Sequence, residues 1–180
     1  MSKILIISSS LRIGSNSELL AREFEKGAKE SGNNVAFLSL KGKNIKYCVG
    51  CLTCQKTKKC ILEDDMKLLL PLLEEAEIIC FASPIYYYGM SGILKTFLDR
   101  TNPLYDGDYH FKDLYLIATC ADSDPSCIDR FVDSINGWSE CYPRSSVKGV
   151  IRGVSLENSN DAAKASSLLQ EAYEMGRSIH

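Results

Sequence analysis

Lys3-Ile4-Leu5-Ile6-Ile7-Ser8-Ser9-Ser10-Leu11-Arg12-Ile13-Gly14-Ser15-Asn16-Ser17-Glu18 is the stretch that decides the fold. Lys3–Ser8 is a continuous apolar run, the pattern of a strand buried on both faces of a parallel sheet. A polar loop follows, and a helical pattern begins at once. Glu18–Ser31 carries Leu20, Phe24 and Ala28 on one stripe, and Gly32-Asn33-Asn34 stops it. Strand, tight loop and helix in that order open an α/β sheet.

The same unit recurs along the chain. Val35–Leu40 reads as a second strand and Asp65–Glu75 as a leucine-rich helix. Ile78–Ala82 is a third strand ending at Ser83-Pro84, followed by a helix over Ser91–Arg100 with Ile93, Leu94, Phe97 and Leu98 inward. Leu114–Cys120 is a fourth strand. A helix around Cys127–Cys141, a strand around Val147–Val154 and a last helix over Asp161–Ile179 complete the pattern. That last helix spaces Ala165, Leu168, Leu169, Ala172 and Tyr173 helically. Five strands alternating with helices predict a doubly wound parallel sheet in one domain, residues 1–180, with a cysteine-rich loop at 43–62.

Composition narrows the function classes. A formal net charge of −2 with 24% charged residues is an ordinary balance, without the basic signature of a nucleic-acid binder. No apolar run is long enough to span a bilayer. The first residues read as a buried strand rather than a secretion signal, which predicts a cytoplasmic protein. In a reducing compartment, eight cysteines are expected to include metal or redox thiols rather than a disulfide framework.

In a doubly wound sheet, ligands bind off the carboxyl ends of the strands, where the strand order reverses. The loop after strand one holds five serines and Arg12 in ten residues and runs into a helix N-terminus. Backbone N–H groups and the helix dipole there favour a phosphate. Ser15 with Glu18 also fits a capping box, which explains those two residues but not the others. The loop has neither G-x-G-x-x-G nor G-x-x-x-x-G-K-[ST], which argues against a resident dinucleotide and against a P-loop nucleotide hydrolase. The loop after strand three, Ser83-Pro84-Ile85-Tyr86-Tyr87-Tyr88-Gly89-Met90-Ser91-Gly92, offers flat aromatic surface and backbone groups to the edge of a planar ring. Here Pro84 and the two glycines are expected to set the backbone. The other reading of its aromatics is core or subunit interface.

Between these loops lie four cysteines in thirteen residues, Cys48, Cys51, Cys54 and Cys60, spaced C-x2-C-x2-C-x5-C. An iron–sulfur cluster is one object such a compact run fits. The lysines around it, Lys41, Lys43, Lys46, Lys56, Lys58 and Lys59, suit thiolates and an anionic cluster. Free thiols, a redox disulfide and zinc are the alternatives. Cys80 reads as a core residue and Cys127 and Cys141 as helix-end residues. Cys120 reads as core that strand four delivers near the ligand. Trp138 reads as packing and His110 as a surface loop residue. No Ser/His/Asp triad, H-E-x-x-H or paired carboxylates stand out.

The combination S-x-R-x-x-S-N-S after strand one, S-P-I-Y-x-x-x-M-S-G-x-L-K-x-F-L-D-R after strand three, and the cysteine run followed by Asp64-Asp65-Met66 resembles the NAD(P)H-dependent FMN reductase family, and within it the iron–sulfur flavoprotein branch. Ala172-Tyr173-Glu174-Met175-Gly176 resembles the family's closing helix. The resemblance implies a flavodoxin-like three-layer sandwich with strand order 2-1-3-4-5 and non-covalent FMN. It implies that Ser10, Arg12, Asn16 and Ser17, with Ser15 at the helix start, hold the phosphate. Pro84, Ile85, Tyr86, Tyr87, Gly89 and Met90 then border the ring, and Thr119, Cys120 and Ala121 approach its other edge. Cys48, Cys51, Cys54 and Cys60 become the ligands of a 4Fe-4S cluster, if one is bound.

With no catalytic side chain required, the flavin itself carries the chemistry. The expectation is an FMN-binding oxidoreductase that uses NAD(P)H, as a transient cosubstrate, or a small electron carrier. Its acceptor would be a flavin, quinone or similar group. The alternative is a relay of single electrons from ferredoxin through a 4Fe-4S cluster and FMN. A third, a redox-sensing or metal-binding scaffold, does without flavin. Partners are a small-molecule or small redox-protein donor and acceptor, with no nucleic acid and no membrane. The exposed aromatic loop suggests a homodimer or homotetramer.

Overall fold

The computed structural model describes residues 1–180. Its five parallel strands are β1 (Lys3–Ser8), β2 (Asn34–Ser39), β3 (Ile78–Tyr86), β5 (Asp113–Thr119) and β6 (Ser146–Gly153). They lie in the order β2-β1-β3-β5-β6, and the two-residue β4 (Gly89–Met90) pairs antiparallel with the end of β3. Counting the parallel strands alone gives 2-1-3-4-5, the flavodoxin-like order expected. The order reverses between β1 and β3, so their carboxyl ends frame the crevice.

Helices α1 (Asn16–Glu30) and α6 (Ser166–Arg177) cover one face of the sheet. Ile4, Ile6, Cys80 and Ile151 meet Leu20, Phe24, Ala28 and Ala172 there. Helices α3 (Met66–Glu75), α4 (Gly92–Asp99) and α5 (Asp129–Glu140) cover the other face. On that side Leu5, Ile7, Phe81 and Leu116 meet Leu69, Leu73, Phe97, Phe131 and Ile135. Strands β1 and β3, buried on both sides, are therefore apolar at every residue from Ile4 to Ile7 and from Ile78 to Ala82. A short helix, α2 (Thr53–Thr57), lies within the cysteine loop.

Three elements differ from the sequence expectation. Helix α1 starts at Asn16, because Ser15 is the N-cap and its Oγ accepts the Glu18 N–H at 3.3 Å. The Glu18 carboxylate turns to Arg22 instead of closing the capping box. Strand β3 runs on to Tyr86 rather than stopping at Ala82, since β4 supplies a pairing partner. The last helix is broken at Ala165. A 3₁₀ turn over Asp161–Lys164 precedes α6, and its Ala162 N–H is held by Asn16 Oδ1 at 3.0 Å, away from the α6 axis.

Helices α1 and α6 pack through glycine. A methyl group on Gly176 meets the Phe24 carbonyl oxygen at 2.1 Å, and one on Gly27 meets the Tyr173 carbonyl oxygen at 2.0 Å. Both neighbours are backbone and have no rotamer to change. Gly176→Ala therefore sets helix propensity, worth about 1 kcal/mol in favour, against overpacking of about 1–3 kcal/mol. The expected outcome in urea unfolding is a net loss of about 1 kcal/mol. Unchanged or increased stability would show that the helices are farther apart.

Candidate flavin and cysteine sites

The first loop leaves a row of backbone donors free. The N–H groups of Ser10, Leu11, Ile13, Gly14, Ser15, Asn16 and Ser17 make no internal hydrogen bond, and the last two open a helix of 15 residues. Unpaired donors in a row at a helix N-terminus are the arrangement that can cradle an anion. The hydroxyls of Ser15 and Ser17 lie 3.1 Å apart within it, and Ser10 Oγ accepts from the Arg12 N–H. Ser8 Oγ, at the end of β1, is buried without a partner. The sequence reading counted it among the loop's five serines but gave it no role, since serine at the end of an apolar strand also reads as strand.

Two expected phosphate ligands have their side chains engaged elsewhere. Asn16 Nδ2 donates to the carbonyls of Leu156 and Asn158, and its Oδ1 accepts from Ala162. Arg12 donates to the Glu157 carbonyl at 2.8 Å. Ser159 Oγ donates to Ile13 O, and Asn160 N–H donates to Gly14 O. Gly14 has φ +68°, and the Asn160 amide stands 2.8 Å from where a Cβ would be. The 156–162 segment thus clasps the cradle. Only its Asn-Ser-Asn-Asp composition, a turn signal, could have drawn attention to it.

The second loop is a hairpin. Ile85 pairs with Met90 and Tyr86 with Gly89. The turn is made by Tyr87 and Tyr88 at φ 50° and 63°, and Gly89 does not take a positive φ. The expectation that the glycines set this backbone is corrected: two tyrosines occupy the left-handed region. Such residues cost of order 1 kcal/mol each and gather at binding sites. Tyr87 is fully exposed, and Tyr86 and Tyr88 are half exposed. Pro84 lies opposite Thr119 of β5. Buried serines join the two loops. Ser91 Oγ bonds Ser9 Oγ at 2.8 Å, and the Ser91 N–H donates to Ser83 Oγ at 3.1 Å.

In the third loop Thr119 and Cys120 are buried and Ala121 is exposed. The side chains of Cys120 and Cys127, read from sequence as core packing and a helix end, face each other in the core, with Cα atoms 7.4 Å apart, farther than a disulfide spans.

Cys48, Cys51, Cys54 and Cys60 line one cavity of about 330 Å³, bounded also by Leu98, Trp138 and Tyr142. Cys54 is buried, Cys60 half-buried, and Cys48 and Cys51 are exposed. No three of them converge on a common metal position. Two sulfurs already receive donors: Asn102 Nδ2 to Cys54 at 3.1 Å and Arg100 to Cys60 at 3.4 Å. The donor set and these N–H···S contacts suit a cluster chemically.

Arg100 also pairs with Asp64 at 2.5 Å, with both side chains almost fully buried. Burial acts to raise the Asp64 carboxyl. The Arg100 guanidinium and the N–H groups of Lys46 and Met66 outweigh it and hold the carboxyl below its usual range. The Cys51 thiol is lowered by the Thr53 backbone N–H and then by the Thr53 hydroxyl.

A family model described as NADPH-dependent FMN reductase matches residues 2–125. The chain belongs to this family. It is 38% identical over 102 residues to an iron-sulfur flavoprotein of Methanocaldococcus jannaschii, covering 57% of this chain and 53% of that one. An iron-sulfur flavoprotein of Archaeoglobus fulgidus is 36% identical over 103 residues, covering 57% and 46%. The chain thus matches about half the length of these curated relatives. A solved NAD(P)H:quinone oxidoreductase from Methanothermobacter marburgensis superposes with a TM-score of 0.78 at 13% identity, covering 99% and 97%. At that identity the likeness is one of fold.

Two outcomes test this geometry. Because the Asp64 pKa is depressed in the fold, its contribution is complete above the unfolded carboxyl's range, near pH 4, and is lost as pH falls through the folded value. Asp64→Asn strands a buried guanidinium and is expected to cost about 3 kcal/mol in urea unfolding at neutral pH, with the gap to wild type narrowing in acid. Equal stability at neutral pH would mean that the pair is solvated. In metal-free protein, alkylation of Cys51 followed by peptide mass should persist below the usual thiol range, around pH 8.5. Thr53→Val should move that profile part of the way back, since the backbone N–H remains.

Proposed function

We propose that the chain is an FMN-dependent oxidoreductase. One observation carries this reading. The free N–H groups of residues 10–17 are joined, through Ser9, Ser83 and Ser91, to the strained hairpin at Tyr87 and Tyr88. A phosphate cradle fixed to a ring-edge loop is what a flavin mononucleotide needs.

In this reading the cradle N–H groups and the hydroxyls of Ser10, Ser15 and Ser17 hold the phosphate. Asn16 and Arg12 secure the loop that clasps it. Backbone groups of Pro84–Met90 read the ring edge, and Thr119–Ala121 border the other side. The bound flavin supplies hydride and electron transfer. Exposed Tyr86, Tyr87 and Tyr88 leave room for a nicotinamide donor and for a quinone, flavin or similar acceptor. They also offer apolar surface to a second subunit, which supports a homodimer or homotetramer. Six free thiols suit a reducing compartment such as the cytoplasm. No helix is long and apolar enough to cross a membrane.

A second reading is favoured by the cysteine cavity. Cys48, Cys51, Cys54 and Cys60 would hold a 4Fe-4S cluster, with Asn102 and Arg100 donating to its sulfurs, and the chain would relay single electrons between cluster and flavin. Anaerobic purification with iron, sulfide and FMN measured per chain separates the two. One FMN with no iron is expected for the simple reductase. About four iron and four sulfide beside one FMN are expected for the relay. Protein that releases no FMN overturns both.

A further inference from the structure

The 156–162 clasp grips the first loop by two of its carbonyl oxygens. Ser159 Oγ donates to Ile13 O at 3.0 Å, and the Asn160 N–H donates to Gly14 O at 2.9 Å. Every peptide bond of the chain is trans. In a planar trans peptide the C=O and the N–H that follows it point in opposite directions. With the Ile13 and Gly14 oxygens turned to the clasp, the N–H groups of Gly14 and Ser15 are turned away from it. Those two N–H groups have no partner, and they belong to the row of donors that can cradle an anion.

The clasp is itself braced. The Asn158 N–H donates to Asp161 Oδ2 at 2.7 Å, and the Ala162 N–H donates to Asn16 Oδ1 at 3.0 Å. Asn160 takes φ +64°, a left-handed conformation that asparagine adopts more readily than most residues. Gly14 allows the close approach, because the Asn160 amide crowds the space a Cβ would need there. The root of the clasp is tied to the third loop. The Ser155 N–H donates to the Asp122 carbonyl at 2.8 Å, and the Leu156 N–H donates to the Cys120 carbonyl at 2.9 Å. The two free donors are therefore oriented before any ligand arrives, and donors ordered in advance cost a ligand less on binding.

We propose that Ser159 and Asn160 are positioning residues that aim the Gly14 and Ser15 N–H groups at the phosphate of the cofactor, and so make the site prefer FMN to riboflavin. The inference rests on the flavin reading above. Both residues act from the far side of the two peptides, through the Ser159 hydroxyl and the Asn160 N–H. Without that hydroxyl the Ile13–Gly14 peptide is free to turn, and the Gly14 N–H loses its aim. The loss falls on the phosphate and leaves the contacts of the ring unchanged.

The test is a fluorescence titration of flavin-free wild type, Ser159→Ala and Ser159→Thr, each with FMN and with riboflavin. Wild type should bind FMN more tightly than riboflavin. Ser159→Ala should weaken FMN by about fivefold, the net worth of one hydrogen bond, and leave riboflavin affinity unchanged. Ser159→Thr keeps a hydroxyl and should restore FMN affinity. Equal weakening of both flavins would mark a general structural role and overturn the proposal. Unweakened FMN, or a wild type that binds the two flavins alike, also overturns it. In each of these cases FMN binding by wild type leaves the flavin reading standing, whereas a wild type that binds neither flavin overturns that reading itself. A second measurement needs no variant. The amide resonances of Gly14 and Ser15 in wild type should move downfield with FMN and far less with riboflavin. Resonances that FMN leaves in place overturn the proposal even if Ser159→Ala fails to fold.

Discussion

The buried ion pair between Arg100 and Asp64 anchors the cysteine loop to the end of α4. Burying two charges is expensive, and is tolerated only when both are hydrogen-bonded. Asp64 accepts from Arg100 and from the N–H groups of Lys46 and Met66, and Arg100 donates to the Lys46 carbonyl and to Cys60 as well. Only Arg100 Nε lacks a partner. The pair therefore pins both ends of the cysteine loop to one guanidinium. Arg100 caps the C-terminus of α4, while Ser91 caps its N-terminus and joins the ring-edge hairpin to the first loop. Eight residues of helix, about 12 Å at the usual rise, set the spacing between the serine-linked loops and the thiols.

The sheet explains why both sites lie at one end. Every parallel strand delivers its carboxyl end to the same edge. Strand order reverses between β1 and β3, so no helix closes the gap there. Ser9, Ser83 and Ser91 at that gap are buried and hydrogen-bonded together, while Ser8 Oγ has no partner. A hydroxyl is small enough to let two backbone loops approach, and each one satisfies the other's hydrogen bonds. The strained turn at Tyr87 and Tyr88 is held open on this base by strand pairing on its inner side.

Much of this was legible in the sequence because it depends on local pattern. Strands β1 and β3 are apolar throughout, since they are covered on both faces, and Ser15 is a cap whatever surrounds it. Alternation gave the doubly wound parallel sheet, and the strand order came from the family resemblance alone. What stayed hidden depends on distant contacts. Tyr87 and Tyr88 carry no glycine to advertise a left-handed turn. Asn16 looked like a phosphate ligand because its neighbours do, yet its partners lie about 140 residues away in the chain. The break at Ala165 follows a turn whose Ala162 N–H is bonded to Asn16 Oδ1, a distant contact that helical spacing in residues 161–179 gives no sign of. The approach of Cys120 and Cys127 depends on how the end of β5 meets the turn that precedes α5.

The 156–162 clasp divides the candidate flavin site between two stretches of very different standing. Residues 2–125 match the family model and contain the whole cradle, while every group that locks the cradle from outside comes from beyond them. Under the proposed flavin reading, a change in that distal turn would alter how tightly the cofactor is retained while leaving the loop shared with the family untouched.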